Sequence, residues 1–337
     1  MADSGSADTN DEAWIDTLRQ SPVGARLQSV SFEPGTTVAR AGEPGRHFLV
    51  VLEGTASVAD PETGQVIAEV GPGSIVGELA LLTDGPRTKN VTVTKAMNGL
   101  VGDADAFDQA MGVDAFRTHV AGCAAQRLAA SARAVPTTDQ TGNEILVRPL
   151  LPTDRDAYQE ALSSASRQTL VNRFFSGAAP SRAIIDYLLD VDCVRHFAWV
   201  AVDPTGPGPD GQGIGVARYI RDRDDPATAE WAVAVAETHR RRGIASLLLG
   251  ALGVTALASG VETLTANVLS SNTAMRALLD EVGASWDRVE PGVVGTAMPA
   301  GRFAALFDPA AVGALEESIS AMTHAATLAL AASNPDG

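Results

Sequence analysis

The chain of 337 residues has two cysteines, Cys123 and Cys193, and five scattered histidines. So few thiols exclude a disulfide framework, and no zinc cluster or other metal site is expected; a reducing, cytoplasmic setting is the default. Apolar runs are short as well. None approaches the roughly 18 residues of a membrane span, and the opening MADSGSADTN is polar and acidic, unlike a secretory leader. No membrane partner is expected. Positive charge is also scarce, with 25 Lys+Arg against 41 Asp+Glu and a net charge of −16. Nucleic-acid binders draw their affinity from neutralising phosphates, so nucleic acid is not expected as a partner either. The loop at 240–245 fits neither G-x-G-x-x-G nor G-x-x-x-x-G-K-[ST], so it supports neither a Rossmann nor a Walker reading.

What is present is the composition of a folded protein, 45% hydrophobic and 20% charged. At roughly 150 residues per domain the length points to two domains. Residues 1–13 read as a disordered tail. Between Val30 and Gly102, short β-like segments (His47–Glu53, Thr55–Ala59, Val91–Lys95) alternate with Gly/Pro turns, the pattern of a small barrel or jelly roll. Helical patterns follow at Asp103–Met111 and Asp114–Ala134, the first with Asp103 as N-cap. The polar stretch VPTTDQTGN (135–143) reads as a linker, closing a first domain over 14–134. From 144 to 300 the text is mixed α/β, with strands near Glu144–Arg148, Phe197–Val202, Ile214–Arg221, Ala229–Ala236 and Glu262–Leu269. Helices are expected at Gly243–Ser259 and Asn272–Val282, and a hairpin loop at DPTGPGPDGQG (203–213). Residues 301–337 form a C-terminal segment. Its helix, Ala310–Ala332, has an apolar face of Val312, Leu315, Ile319, Met322 and Leu328 and is a candidate regulatory element.

Two stretches carry chemistry. In GPGSIVGELALLTDGPRTKNV (71–91), a short helical turn at Glu78-Leu79-Ala80 follows Gly77, where a side chain would block close approach to backbone N–H groups. Arg87 can meet a phosphate there through a bidentate, charge-assisted contact, and Glu78 can accept from a ribose hydroxyl. The run GELALL…GPRT resembles the phosphate-binding cassette of cyclic-nucleotide-binding domains. That resemblance implies a β jelly roll in which Gly77, Glu78, Leu79 and Ala80 line the ribose-phosphate while Arg87 and Thr88 meet phosphate and base. It also implies a base-capping role for Arg127, which otherwise reads as a solvated helix position. Lys89-Asn90 departs from the Ala-Thr/Ser that usually follows.

The second stretch is Arg240-Arg241-Arg242-Gly243-Ile244-Ala245, between a strand and an apolar helix, where successive amides, a helix N-terminus and arginines suit a pyrophosphate. It resembles the [QR]-x-x-G-x-[GA] loop of GNAT acetyltransferases, which binds the pyrophosphate of acetyl-CoA. The later helix SSNTAMRALLDEVGA then implies Asn272 and Arg276 on pantetheine or the 3′-phosphate, though Asn272 also makes a good N-cap. Backbone N–H groups at Val233, Ala234 and Val235, where the family carries a bulge, would hold the oxyanion. Glu230, ten residues before Arg240, is the best-placed general base, with Glu237 its rival. Many GNAT enzymes place a Tyr seven residues after the asparagine; here it is Leu279.

In this order the two modules resemble the mycobacterial-type cyclic-AMP-dependent protein lysine acetyltransferases. The resemblance implies acetyl-CoA as donor, cyclic AMP as allosteric activator and a lysine Nε of an acyl-CoA synthetase-like protein as acceptor. A small-molecule amine is the alternative acceptor. A cyclic-nucleotide-responsive transcription regulator would need a helix-turn-helix after residue 143, where the pattern is α/β.

Overall fold

The computed structural model describes residues 13–208 and 211–331. The expected N-terminal tail lies outside them except for Ala13, as does Ala332 at the expected helix end. Contacts divide the chain into two units. The first runs to Ala124 and takes in the residues from Ala325 on; the second is Ala125–His324.

The first unit begins with α1 (Ala13–Gln20), whose Trp14, Ile15 and Leu18 are buried. Six strands follow in one sheet: β1 (Gln28–Phe32), β2 (Thr37–Ala39), β3 (His47–Ala59), β4 (Val66–Val70), β5 (Ile75–Val76) and β6 (Asn90–Asp103), with α2 (Glu78–Leu82) between the last two. The main order is β1-β6-β3-β4. Where two short segments were expected across His47–Ala59 there is one long strand. Gly54, at φ +84°, lets it bend against β6 with register shifts instead of breaking. Both faces of β3 are buried by alternation: Phe48 and Val50 join Trp14, Phe107 and Phe116, while Leu49 and Val51 join Val91, Val93 and Met97. α3 (Ala104–Ala110) is capped by Asp103, whose side chain accepts from Ala106 N. α4 (Asp114–Ser131) completes the layer.

The division between the units falls inside α4, two residues after Gly122 and within unbroken helix. Residues 135–143, read as a linker, instead form β7 (Val135–Thr138) and the turn into β8 (Glu144–Pro149). Pro136 is tolerated because β7 is the edge strand of an eight-stranded sheet. Next come α5 (Arg155–Ser164), α6 (Arg167–Phe174), α7 (Arg182–Leu189), β9 (His196–Asp203), β10 (Gln212–Arg221), β11 (Thr228–Val235), α8 (Ile244–Ala258), β12 (Thr263–Leu269), α9 (Thr273–Glu281), β13 (Asp287–Glu290) and β14 (Val293–Pro299). The sheet order is β13-β14-β12-β11-β10-β9-β8-β7. All pairs are antiparallel except β11–β12, where the ladder covers only Thr228–Glu230 against Thr263–Thr265.

The second core does not stop at residue 300. α10 (Ala300–Ala304) and Phe307 pack on α8, which has no side chain at two contact points. A Cβ on Gly250 would lie 2.5 Å from Phe307 N, and one on Gly253 2.2 Å from Ala304 N. Phe303 is fully buried against Trp231, with ring centroids 5.6 Å apart. α11 (Val312–Ala331) follows, with Leu315, Ile319 and Met322 buried; the side chain of Leu328 lies outside the described set. Among the described residues no helix is long and apolar enough to cross a membrane.

Candidate functional site

In the first unit the residues 77–88 close on one point. Gly77, at φ +97°, turns the chain into α2. A Cβ there would lie 1.7 Å from Arg87 Nη1, so glycine is required for the guanidinium to sit against the backbone. Arg87 Nη2 donates to His47 O at 2.6 Å, and its backbone N–H to Glu43 O at 2.8 Å. Nη1 is buried and has no hydrogen-bond partner among the described residues. Burial lowers the Arg87 pKa, while the carboxylates of Glu78 and Glu43 oppose that shift. A half-buried cation with a buried spare donor, beside a backbone stripped of side chain, fits an anionic oxygen. Glu78 and Ala80 are buried, Leu79 is partly so and Thr88 is exposed.

The unusual Lys89-Asn90 pair has its own partners. Lys89 Nζ lies 2.8 Å from Asp60 Oδ2, and its hydrogen bond leads the contacts holding the Asp60 pKa at about 2. Asn90 Oδ1 accepts from Ala41 N at 3.0 Å. Arg127 lies beyond the division within α4, half-buried, in the second unit rather than with the cassette.

In the second unit β11 keeps its antiparallel ladder to β10 from Ala229 to Val235 but leaves β12 after Glu230. Val233, Ala234 and Val235 therefore lie where the β12-facing edge has no strand partner. The ladder is regular, and the bulge expected at this strand end is absent; the irregularity sits instead at Gly213/Gly215, between β10 and β9. Glu230 occupies the last parallel rung. It shares a row of cross-strand partners with His196, Ile220 and Thr265, so these four project from one face of the sheet. On that face a cavity of about 490 Å³ is lined by Glu230, Thr265, Asn267, Thr296 and Tyr187 among others.

Beneath the same face Arg218 is buried, with hydrogen bonds to Leu188 O, to His196 Nε2 at 3.0 Å and to Tyr158 Oη at 3.2 Å. Burial, then the Arg218 charge, hold the His196 pKa down at about 4, despite the opposing bond to Asp190 O. Arg173 on α6 is lowered by burial and interacts electrostatically with Tyr158 and Glu230.

The three arginines that follow β11 part company. Arg240 Nη2 donates to Thr169 Oγ1 at 2.7 Å and lies 3.8 Å from Glu237. Arg242 pairs with buried Asp139 at 2.5 Å. Exposed Arg241, at φ +59°, has no partner among the described residues and is free to meet a phosphate. Gly243, at φ +79°, opens α8, with Ile244 buried and Ala245 partly exposed behind it. Glu237 is engaged by the Ser166 and Thr169 hydroxyls, then by Ser166 N–H, which hold its pKa at about 2. So stabilised an anion is a poor proton acceptor.

Asn272 caps α9, its Oδ1 accepting from Met275 N at 3.3 Å, which leaves the amide NH₂ available. Arg276 lies over the Trp286 ring at 5.4 Å, and its Nε is buried without a hydrogen-bond partner among the described residues. Leu279 is fully buried, so core packing accounts for it. Sequence reasoning overlooked Tyr187, Thr265, Asn267 and Asp139. The alternation Thr263–Thr265–Asn267 between buried Leu264, Ala266 and Val268 was a readable sign of a polar strand face. Nothing local could have brought Tyr187, on α7, to the cavity.

Residues 29–114 match the cyclic nucleotide-binding domain model, and residues 168–284 match the acetyltransferase (GNAT) family model. An acetyltransferase Pat from Mycolicibacterium smegmatis is 37% identical over 277 residues, covering 82% of each chain. The cAMP-dependent protein kinase regulatory subunit of Dictyostelium discoideum is 36% identical over 84 residues, 23% of this chain and 26% of its own. Among solved structures, a cAMP-binding acyltransferase from Mycobacterium smegmatis is 29% identical with a TM-score of 0.49, covering 95% of this chain and 100% of that one.

Proposed function

The chain belongs to the GNAT acetyltransferases that carry a cyclic-nucleotide-binding domain, and we propose that it transfers acetyl from acetyl-CoA to a protein lysine under control of cyclic AMP. One observation supports the catalytic half above the others: Glu230 stands on the rung where β11 and β12 part, facing a cavity. Residues 240–245 take the pyrophosphate, with Arg241 as the uncommitted cation, and Asn272 and Arg276 take the pantetheine arm or 3′-phosphate. The thioester then lies along the open edge of β11, where N–H groups at Val233–Val235 stabilise the oxyanion. Glu230 accepts the proton, directly or through water, as the amine nitrogen bonds to the acetyl carbon and the C–S bond breaks. A thiol pKa near ~8.5 makes the thiolate a tolerable leaving group that water can protonate, so buried Leu279 needs no replacement acid.

Cyclic AMP is taken by Gly77–Ala80, Arg87 and Thr88. The acceptor is an acyl-CoA synthetase-like protein in the cytoplasm, where cysteines such as Cys123 and Cys193 stay reduced. α11 restrains the resting enzyme.

Mass spectrometry of an acyl-CoA synthetase incubated with the protein and acetyl-CoA tests the acceptor. Acetyl-lysine is expected. Its absence, with acetylation of a polyamine or aminoglycoside instead, would move the assignment to small amines.

A further inference from the structure

The turn between β7 and β8 reaches across to the arginine-rich loop, a contact inside the second unit that the reaction scheme does not use. Asp139, whose side chain is fully buried, divides its two oxygens. Oδ1 accepts from Thr141 N at 2.8 Å, Thr141 Oγ1 at 2.7 Å and Asn143 N at 3.0 Å, which fixes the turn. Oδ2 accepts from Arg242 Nε at 2.5 Å. A backbone bond from Gln140 N to Arg242 O, at 3.0 Å, makes the link double. Gln140 also covers Gly243, where a Cβ would lie 2.6 Å from its Cγ.

Arg242 is flanked by two left-handed residues, Arg241 at φ +59° and Gly243 at φ +79°. Glycine adopts that region freely. Arginine does not, and such a conformation persists where its surroundings over-determine it. The only ties on Arg242 outside its own segment, among the described residues, are those to Asp139 and Gln140. A buried carboxylate is costly unless paired, so Asp139 and Arg242 hold each other in place.

We propose that Asp139 is a positioning residue for acetyl-CoA: by gripping Arg242 it holds residues 240–243 in the conformation that receives the pyrophosphate. This rests on the acetyltransferase reading above. Asp139 touches no substrate; it acts through Arg242, and its effect falls on donor affinity. Without it the loop relaxes toward the right-handed region and must be reshaped at each binding event, which weakens binding.

The test uses the full chain, with acetyl-CoA as the titrant in calorimetry and in steady-state kinetics. Asp139→Asn keeps the volume but loses the charge; Arg242→Met approaches the same link from its more exposed side. Each variant is expected to raise both the dissociation constant and the KM for acetyl-CoA roughly tenfold, while kcat changes little. The double variant is expected to be no worse than the weaker single one, because one interaction is shared. If Asp139→Asn does not fold, Thr141→Val, which removes one donor to Asp139 Oδ1 and leaves residues 240–245 unaltered, decides instead, with weaker acetyl-CoA binding expected. Unchanged affinity, a loss confined to kcat, or additive losses would each overturn the proposal. Failure of the wild type to bind acetyl-CoA would overturn the acetyltransferase reading itself, and the inference with it.

Discussion

Glu230 and Glu237 are separated by their neighbours, not by residue type. Three donors hold Glu237 as an anion, whereas Glu230 carries no hydrogen-bond donor among the described residues and faces the cavity. Glu230→Gln should therefore keep acetyl-CoA binding in calorimetry while lowering turnover by about 10²–10⁴-fold. Wild-type turnover in that variant would exclude Glu230. His196 gives a pH signature. Its folded pKa is about 4 against an ordinary 6.5, so between those values the unfolded chain takes up a proton that the folded chain refuses. Stability should fall as pH drops from 6.5 to 4, by about 3 kcal/mol at most. Urea unfolding at pH 7 and pH 5 measures this loss, and His196→Gln should reduce it. At this scale much was legible. Gly77, Glu78, Arg87 and the arginine loop could be picked out because their chemistry is local in sequence. The fates of the three arginines could not, since Thr169 and Asp139 reach them from 71 and 103 residues away.

Among the elements, the helices and strands were readable where one periodicity ruled, as in α9 and β12. Two features were hidden. β3 continues through Gly54 because a glycine that looks like a break also permits a bend. β7 looks like a linker because its polar residues and Pro136 suit an edge strand as well as a loop. The seam between α8 and α10 was also missed, as glycines inside a helix reveal a close neighbour without saying which one. Phe303 fills that seam. Phe303→Ala should cost about 3–5 kcal/mol and lower the thermal midpoint of the second unit, read by calorimetric scanning. A shift within error would mean the seam contributes little.

For the whole molecule, the seam also determines where the chain can be cut to test α11. A cut after Met298 removes Phe303 and Phe307 and takes apart the core, so it says nothing about restraint. A cut after Ala311 spares both. The shortened enzyme should have a higher basal rate and a flatter response to cyclic AMP; an unchanged basal rate in folded protein would remove α11 as the restraint. Two modules in one chain imply a two-state equilibrium that a ligand shifts only through differential affinity. The most direct measurement is the acetylation rate of an acyl-CoA synthetase lysine against cyclic AMP concentration, for the wild type and for Arg87→Glu. The wild-type rate should rise to a plateau, while the variant, with like charge facing the phosphate, should stay at its basal rate throughout. Equal responses from the two proteins, or no response from either, would contradict control by cyclic AMP at this site.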